Sequence, residues 1–398
     1  MKKVVDVVQL KTSVFTYFEA CDFEDFPIGG TLSFAKHILA SFPGEVRLIG
    51  FSGKNEPVGK WFCKIIDGHS YEYYGICSVE EINSTIFPKR LFSFWALRRH
   101  IRKITNQKRI DYVFTQSPQF VFVLSHYNWK SFCFCFAGLG NSVALSKYRF
   151  LRIFGRVYER FLFHTLKDSS NCILAAASAN DIQEKTIKYK LDYNAITQFP
   201  TRFDDKVFKV KDPKKCKKYL DLEGYDFVLL SVGRVSYIKG WKLIVDAYRL
   251  AKNRLGNTLL VFIGDGEDMT QLQNYCKKDL DEKSILIKGF LGSDLISCYL
   301  NASNVFLSGS LVEGWPTTMV EALACGIPIV STEVSGSEVM IENGLNGYVV
   351  KGRDPKVFSN YIIQSTSLER PNKISLKKSK KYSQSSLRNN FSELWIDE

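Results

Sequence analysis

The chain of 398 residues is too long for one ordinary hydrophobic core, so its length predicts two domains of roughly 150–200 residues each. With 45% hydrophobic and 24% charged residues, its composition excludes an intrinsically disordered protein. The formal net charge of +13 indicates an anionic partner, either a nucleic acid, a membrane surface or a phosphorylated substrate.

The N-terminal segment 4–10 is predicted to be a first strand rather than part of a signal peptide, because Asp6 and Gln9 interrupt its apolar run. No stretch of the sequence reaches the roughly 18–20 apolar residues that span a bilayer. The ten cysteines contain no CxxC pair, so we expect buried thiols in a reducing compartment rather than a zinc site or a disulfide framework. We therefore expect a cytoplasmic location.

Short apolar runs alternate with amphipathic stretches through the first half of the chain. Helices are predicted over 31–42 and 148–167, and further strands over 46–52, 112–117, 131–138 and 171–178. This alternation is typical of βαβ units around a parallel sheet.

The second half repeats the pattern more clearly. Its predicted strands are 226–233, 258–266, 284–290, 304–310 and 327–333, and its predicted helices are about 240–254, 268–279, 293–302 and 316–325. The irregular segment 199–209 marks the join. The sequence therefore predicts an α/β protein with domains 1–200 and 201–383, and a C-terminal helix, 384–398, that packs back on the first domain.

The segment SGSLVEGWPTTMVEALACG (308–326) contains the most candidate ligand-binding residues. A strand enters a loop, and a helix begins near Pro316 and ends at Gly326. A helix N-terminus beyond a strand's carboxyl end is suited to a phosphate group. Glu313 and Glu321 are predicted to face one cleft at different depths, where carboxylates accept hydrogen bonds from sugar hydroxyls. The alternative is a pair of solvated glutamates.

Three glycine-containing loops follow predicted strands or precede a helix. In 229–241, Arg234 and Lys239 come just after Gly233, an arrangement that suits a diphosphate, although two surface cations in a loop are the alternative. Gly264 and Gly266 lack the third glycine of a dinucleotide fingerprint, so they predict either close backbone approach to a base or ribose, or a plain turn. In the first domain, Gly29 and Gly30 likewise predict either close backbone approach to a ligand or a tight turn.

The order of GRVSYIKG, IGDGEDM, KGFL and EGWPTTMVEALACG resembles the donor-binding half of retaining GT-B glycosyltransferases of family 4, the glycosyl transferases group 1. The resemblance is strong over about 226–352. It implies GT-B architecture, in which two Rossmann-like doubly wound domains face an interdomain cleft. It also implies a nucleotide-sugar donor, such as a UDP- or GDP-sugar, and neither a cofactor nor a metal.

The resemblance also implies roles for individual residues. Arg234, Lys239 and Glu313 are implied as the catalytic set, with the two cations holding the diphosphate and Glu313 contacting the donor sugar. Further donor-binding positions are Gly29, Gly30, Gly233, Gly264, Gly266, Gly314, Trp315, Pro316, Thr317, Thr318 and Glu321, the last accepting ribose hydroxyls.

One expected residue is absent from the sequence. Many members of the family carry a histidine at the end of a first-domain strand, but the corresponding stretch 132–142 contains none. We therefore assign no catalytic base. Asn141 and His126, the latter one element upstream, are predicted as acceptor contacts.

The positive charge is concentrated in residues 85–167, which hold 15 Lys and Arg against only Asp111 and Glu159. Aromatic residues are interleaved with these cations at helical spacing, a pattern typical of helices that lie on an anionic membrane. Ordinary helices with solvated cations are the alternative. Nucleic-acid binding is not favoured, because no zinc finger, RNP motif or helix-turn-helix accompanies the charge.

Together these features predict a retaining, metal-independent hexosyltransferase, peripheral at the inner face of the cytoplasmic membrane. It would move a hexose or N-acetylhexosamine to a lipid-linked or polysaccharide acceptor in cell-surface glycan synthesis, such as that of lipopolysaccharide or capsule. The alternatives are another enzyme on the same fold, such as a nucleotide-sugar epimerase or sugar phosphorylase, and a non-catalytic basic membrane-binding module.

Overall fold

The structure is a computed structural model that describes residues 13–27, 30–139, 149–192 and 194–396. The predicted strand 4–10, Gly29 and Asn141 lie outside the described residues. The chain divides into two compact units: unit 1 is Met1–Phe199 with Leu387–Glu398, and unit 2 is Pro200–Ser386.

Unit 1 is built on a sheet with the strand order β3-β4-β2-β1-β5-β6-β7-β8. Among the described strands the pairing is parallel, except for the antiparallel pair β3–β4. The strands are β1 Phe15–Phe18, β2 Val46–Ser52, β3 Trp61–Ile66, β4 His69–Ser78, β5 Tyr112–Thr115, β6 Ser131–Phe136, β7 Cys172–Ala175 and β8 Thr197–Gln198.

Helices cover both faces of this sheet. They are α1 Gly30–Ser41, α2 Val79–Ser84, α3 Lys89–Gln107, α4 Pro118–Leu124, α5 Arg149–Ser169 and α6 Ala179–Tyr189. The helices α3, α4 and α5 pack side by side, and they contribute buried residues to the same core cluster. The helix α1 belongs to the other core cluster, on the opposite face.

Unit 2 has a parallel sheet with the order β11-β10-β9-β12-β13-β14. Its elements are α7 Pro213–Tyr219, β9 Phe227–Val232, α8 Trp241–Leu255, β10 Thr258–Ile263, α9 Met269–Tyr275, α10 Lys277–Asp281, β11 Ile285–Ile287, α11 Ser293–Ala302, β12 Val305–Ser308, α12 Thr317–Ala324, β13 Ile329–Thr332, α13 Ser337–Met340, β14 Gly347–Val350, α14 Pro355–Ser365 and α15 Lys373–Ser379. Each strand predicted for this half overlaps one of these strands.

The C-terminal segment completes the core of unit 1. It consists of α16, Leu387–Phe391, followed by a π-helical turn, Ser392–Ile396. Phe391 stacks edge-on against Phe114 at 5.0 Å between ring centroids. Trp395 lies 5.4 Å from the Phe15 ring, and its Nε1 donates to Ser131 Oγ at 2.8 Å. Burial of these two aromatic side chains ties the segment to the central strands.

The structure contains a hairpin that sequence reasoning did not predict. Strands β3 and β4 pair through the two-residue turn Asp67–Gly68, and both turn residues have positive φ, 48° and 77°. An Asp-Gly pair at these angles fits the twist of a type I′ hairpin, because glycine carries no Cβ to clash. The described helices include none long and apolar enough to cross a membrane.

Candidate functional site

The candidate site of unit 2 lies where the direction of the sheet connections reverses. From β9 the chain continues to β10 on one side, while β12 pairs with β9 on the other side. In open α/β sheets, ligands bind beyond the carboxyl ends of strands at such a switch point. A cavity at this point is lined by Gly233 and Arg234 after β9, by Ser308 and Ser310 at the end of β12, and by Lys239, Glu313 and Thr318.

The cavity itself is small, about 30 Å³. That volume holds only one or two water molecules, so the cavity is far smaller than a small-molecule pocket. The structure thus brings together five of the predicted site residues, namely Gly233, Arg234, Lys239, Glu313 and Thr318.

Close backbone packing holds the loops around this cavity in place. Gly264 has φ +134°, and a Cβ atom there would lie 1.9 Å from the Gly233 carbonyl oxygen. Gly240 has φ +67°, and a Cβ atom there would lie 1.8 Å from the Gly309 carbonyl oxygen. Both positions therefore require glycine. Gly264, predicted to approach a base, packs here against the strand-exit loop.

An ion pair crosses the site. Lys239 Nζ donates to Glu313 Oε1 at 2.6 Å, and Ser310 Oγ donates to the same oxygen at 2.6 Å. Arg234 is exposed and has no hydrogen-bond or acidic partner among the described residues. The cluster of Arg234, Lys239 and Glu313 therefore carries one uncompensated positive charge, and its free cation is a guanidinium that can bind an anion with two hydrogen bonds.

The helix α12 begins directly after this loop, with Pro316 as its N-cap and Thr318 in its first turn at the cavity. Thr317 Oγ1 donates to Thr201 Oγ1 at 3.2 Å. The Trp315 side chain, predicted to bind donor, is buried against Gly336 and Tyr382 instead of lining the cavity. Its indole ring fills the space that a Cβ at Gly336 would need, and donor binding at this position stays a prediction.

Glu321 lies one helical turn beyond Thr318 on the same face of α12. It is half-buried and is not among the cavity-lining residues, so the two glutamates do not share the small cavity. Within the described residues its carboxyl group has no hydrogen bond or ion pair. Burial alone raises the pKa of Glu321 to about 8. An acid held without a partner beside a ligand site is a candidate for ligand contact.

The remaining predicted residues lie elsewhere or only support the site. A Cβ atom at Gly266 would lie 2.3 Å from the Val235 carbonyl oxygen, so Gly266 packs against the Arg234 loop. Gly30 begins α1 in unit 1. His126 is exposed just after α4, in a separate basic groove with three arginines of α3. Among the described residues, no three His, Cys, Asp or Glu side chains are close enough to hold a metal ion.

Sequence reasoning missed two contributors to the site. Ser310 fixes the Glu313 carboxylate, and Arg353 Nη1 donates to the Ser310 carbonyl oxygen at 3.3 Å from the segment between β14 and α14. Ser310 stands within the same loop as Glu313, so its proximity was available as a signal. Nothing local in the sequence connects Arg353 to this loop.

Comparison with known proteins agrees with this geometry. The family model of glycosyl transferases group 1 matches residues 214–385, which lie in unit 2. A galactosyltransferase of Escherichia coli, named UDP-Gal:alpha-D-GlcNAc-diphosphoundecaprenol alpha-1,3-galactosyltransferase, is 29% identical over 153 residues, 38% of this chain and 39% of that protein. The chain thus matches well under two thirds of this relative's length.

Solved structures match nearly the whole chain. Sucrose-phosphate synthase from Thermosynechococcus elongatus superposes with a TM-score of 0.74 at 13% identity, covering 96% of this chain and 98% of that one. HepE of Anabaena, solved in complex with UDP and glucose, gives a TM-score of 0.69 at 15% identity, covering 95% and 98%. These likenesses show the fold: this is an α/β protein of the GT-B class, with two Rossmann-like parallel-sheet domains. Within it, unit 2 carries the segment that matches the glycosyl transferases group 1.

Proposed function

We propose that the protein is a glycosyltransferase that uses a nucleotide-sugar donor. The observation that carries this proposal is the polar cluster of Arg234, Lys239 and Glu313 at the switch point of unit 2, inside the segment that matches the glycosyl transferases group 1. The free guanidinium of Arg234 binds the donor diphosphate. Lys239 shares its charge between that diphosphate and Glu313, and Glu321 accepts hydrogen bonds from the ribose hydroxyls.

The proposed reaction keeps the configuration at the anomeric carbon. The bond between the sugar C1 and the β-phosphate oxygen breaks, and C1 bonds to an acceptor hydroxyl oxygen on the same face. The proton of that hydroxyl passes to the departing phosphate oxygen, so no separate protein base is needed. Arg234 and Lys239 stabilise the charge that develops on the leaving diphosphate, which is the task a divalent metal has in other enzymes.

The donor is proposed to carry a hexose or N-acetylhexosamine, and the acceptor to be lipid-linked or a growing polysaccharide. The E. coli relative, whose name specifies a diphosphoundecaprenol-linked acceptor, supports a lipid-linked one. With such an acceptor, the proposed site of the reaction is the inner face of the cytoplasmic membrane, in the synthesis of a cell-surface glycan such as lipopolysaccharide or capsule.

A donor panel tests the proposal. UDP- and GDP-sugars are incubated with the protein, with and without membrane lipid extract, and nucleotide release and product mass are followed. Arg234→Ala is expected to weaken UDP binding at least tenfold, whereas Arg254→Ala, an exposed arginine at the end of α8, leaves it unchanged. The proposal fails if no donor binds or is hydrolysed. A sugar mass added to an acceptor distinguishes transfer from epimerisation or phosphorolysis.

Two further measurements test whether the anomeric configuration is retained and whether the reaction needs a metal ion. The anomeric proton coupling of the product, compared with that of the donor, reports whether configuration is retained. Activity that persists in excess EDTA supports metal independence, while activity lost in EDTA and restored by Mg²⁺ or Mn²⁺ contradicts it.

A surface on unit 1 supports peripheral binding to an anionic membrane. Ile86, just before α3, is 95% exposed, and Trp95, in the N-terminal half of α3, is 58% exposed. On the same helical stripe, Arg98 and Arg102 follow Trp95 by three and seven residues, and neither has an acidic partner among the described residues. An apolar end that continues into a basic end fits insertion beside anionic headgroups. The exposed Phe161 of α5 lies on the other flank of α4 and extends this surface.

Vesicle flotation tests this surface. Binding to vesicles containing phosphatidylglycerol, absent with pure phosphatidylcholine and weakened as salt rises, is the expected result. Trp95→Ser should reduce binding severalfold, whereas Phe290→Ser, at an even more exposed aromatic residue of unit 2, should not. Equal binding to both vesicle types would contradict the electrostatic part of the proposal.

A further inference from the structure

The two segments through which the chain enters and leaves unit 2 are paired with each other. Residues 200–203 form the entry segment of unit 2, and residues 380–386 form its exit segment. The Phe203 N–H donates to the Tyr382 carbonyl oxygen at 3.0 Å, and the Gln384 N–H donates to the Phe203 carbonyl oxygen at 2.9 Å. These two hydrogen bonds make a short parallel bridge, so the entry and exit segments are joined to each other within unit 2.

The exit segment packs against the loop that precedes α12. Tyr382 is 1% exposed, and its ring lies edge-on to the Trp315 indole, with 5.6 Å between the ring centroids. Gly336 lies directly against the same indole, since a Cβ atom there would be 2.9 Å from it. Neither Trp315 Nε1 nor the Tyr382 hydroxyl has a hydrogen-bond partner among the described residues, so the two side chains meet through their rings.

The entry segment makes a second contact, on the first residue of α12. That residue is Thr317, and its hydroxyl donates to Thr201 Oγ1 at 3.2 Å. Because Pro316 is the N-cap, the paired segments contact both the residue before the N-cap and the residue after it. Helix α15, which leads into the exit segment, also packs against α12. The N-terminal end of α12 is therefore held from two parts of the chain that are joined to each other.

This end of α12 carries free backbone donors beside the candidate site. Pro316 makes no side-chain cap, and the amides of Thr317 and Thr318 have no hydrogen-bond acceptor in the described part of the chain. Thr318 lines the small cavity together with Arg234 and Lys239. The placement of the helix end therefore sets where these N–H groups stand relative to the two cations proposed to bind the diphosphate.

We propose that Thr201 and Tyr382 are positioning residues of the donor site, which fix the N-terminal end of α12 through Thr317 and Trp315. Neither residue lines the cavity, so both act through the residues that flank the N-cap. Their role toward a nucleotide rests on the proposed function, whereas their hold on α12 does not. By linkage, a nucleotide that needs α12 in this position stabilises the paired segments in return.

Amide hydrogen exchange of the full chain, without any ligand, tests the hold on α12. Thr201→Val keeps the shape of a half-buried side chain and removes its hydroxyl, so this variant should fold normally. Tyr382→Leu keeps an apolar side chain and removes the ring. Each change should speed exchange severalfold in peptides that cover 311–320, because a contact beside the N-cap is lost.

Conservative variants and a matched control separate positioning from general packing. Thr201→Ser keeps the hydroxyl and Tyr382→Phe keeps the ring, so both should exchange like the unmodified protein over 311–320. Tyr361→Ala breaks a stacked aromatic pair with Tyr348 elsewhere in unit 2 and should leave these peptides unchanged.

Titration with UDP tests the consequence for the donor site. We expect Thr201→Val and Tyr382→Leu to weaken UDP binding about threefold to tenfold, while the two conservative variants and Tyr361→Ala bind UDP like the unmodified protein. In the unmodified protein, saturating UDP should slow exchange in peptides that cover 200–203 and 380–386. A general loss of stability would not produce this ligand-dependent protection.

Three results would overturn the inference. They are unchanged exchange over 311–320 in both Thr201→Val and Tyr382→Leu, an equal rise in Tyr361→Ala, and faster exchange with unchanged UDP affinity. If the unmodified protein binds no UDP, the proposed function fails together with the role of these residues toward a nucleotide. The exchange rates over 311–320 then still show whether Thr201 and Tyr382 hold α12, so the two failures are distinguishable.

Discussion

Replacing Glu321 by glutamine should make unit 2 more stable while it weakens nucleotide binding. Burial raises the pKa of Glu321 from 4.5 to about 8, and no partner among the described residues offsets this rise. The folded protein therefore binds more protons than the unfolded chain between these pH values. Since the folded state must either hold this proton or bury a charge, stability falls as pH rises from about 4.5 to about 8.

The size of the effect follows from the pKa difference. Each pH unit between the two pKa values costs about 1.4 kcal/mol, so the penalty reaches about 3 kcal/mol at pH 7 and about 5 kcal/mol above pH 8. A neutral glutamine avoids this penalty. Glu321→Gln should therefore unfold about 6–12 °C higher at pH 7, and at nearly the same temperature as the unmodified protein at pH 4.5.

Thermal unfolding followed by circular dichroism from pH 4.5 to 9 measures the difference, with the exposed Glu333→Gln as the control that leaves the pH dependence unchanged. Calorimetric titration of UDP at pH 8 should show binding about tenfold weaker in Glu321→Gln, because ribose hydroxyls lose an ionised acceptor. In the unmodified protein, UDP binding should release protons, since those hydroxyls favour the ionised acid. A variant that is less stable at pH 7 would refute the reasoning.

Three further predictions concern the donor-site loops and the core of unit 1. Glu313→Gln should bind UDP about threefold to tenfold more tightly, because Lys239 loses its 2.6 Å ion pair and turns its charge to the diphosphate, while sugar transfer slows; weaker UDP binding by titration would contradict this. Gly264→Ala should destabilise unit 2 by at least about 2 kcal/mol in urea unfolding, because its Cβ would lie 1.9 Å from a carbonyl oxygen; unchanged stability would mean that the loops separate freely. Trp395→Ala should destabilise unit 1 by about 3–5 kcal/mol and leave UDP affinity intact, because the UDP site is proposed to lie in unit 2. Loss of UDP binding in the folded variant would contradict that assignment.

The strands of both sheets were predictable where the apolar run is long. The segment 46–52 forms β2 with the predicted bounds, because its residues are mostly apolar and nearly all of them are buried. The strand β1, Phe15–Phe18, escaped prediction because it is only four residues long and Thr16 interrupts its apolar run. The Asp67–Gly68 pair is typical of a hairpin turn. It was overlooked because the predicted helices and strands around it favoured parallel βαβ units.

The site was predictable as a set of residue types but not as a set of partners. Arg234, Lys239 and Glu313 each follow a strand end or precede a helix, which local sequence reveals. Lys239 is neutralised by Glu313 through a contact across 74 positions, whereas Arg234 has no acidic partner in the described part of the chain. The buried Glu19 carboxylate accepts a hydrogen bond from the Gln116 N–H, 97 positions away, so no local sequence pattern could predict this contact.

The C-terminal aromatic pair has a consequence for biosynthesis. Phe391 and Trp395 fill the core beside β1 and β5, yet the whole of unit 2 is translated between those strands and this pair. At about 5–20 residues per second, the ribosome needs roughly 10–40 s to translate unit 2 alone. During this time, the apolar face of unit 1 lacks its cover and is open to chaperones and to other nascent chains, while unit 2, contiguous in sequence, can fold first. The core of unit 1 is therefore completed only after unit 2 has been synthesised.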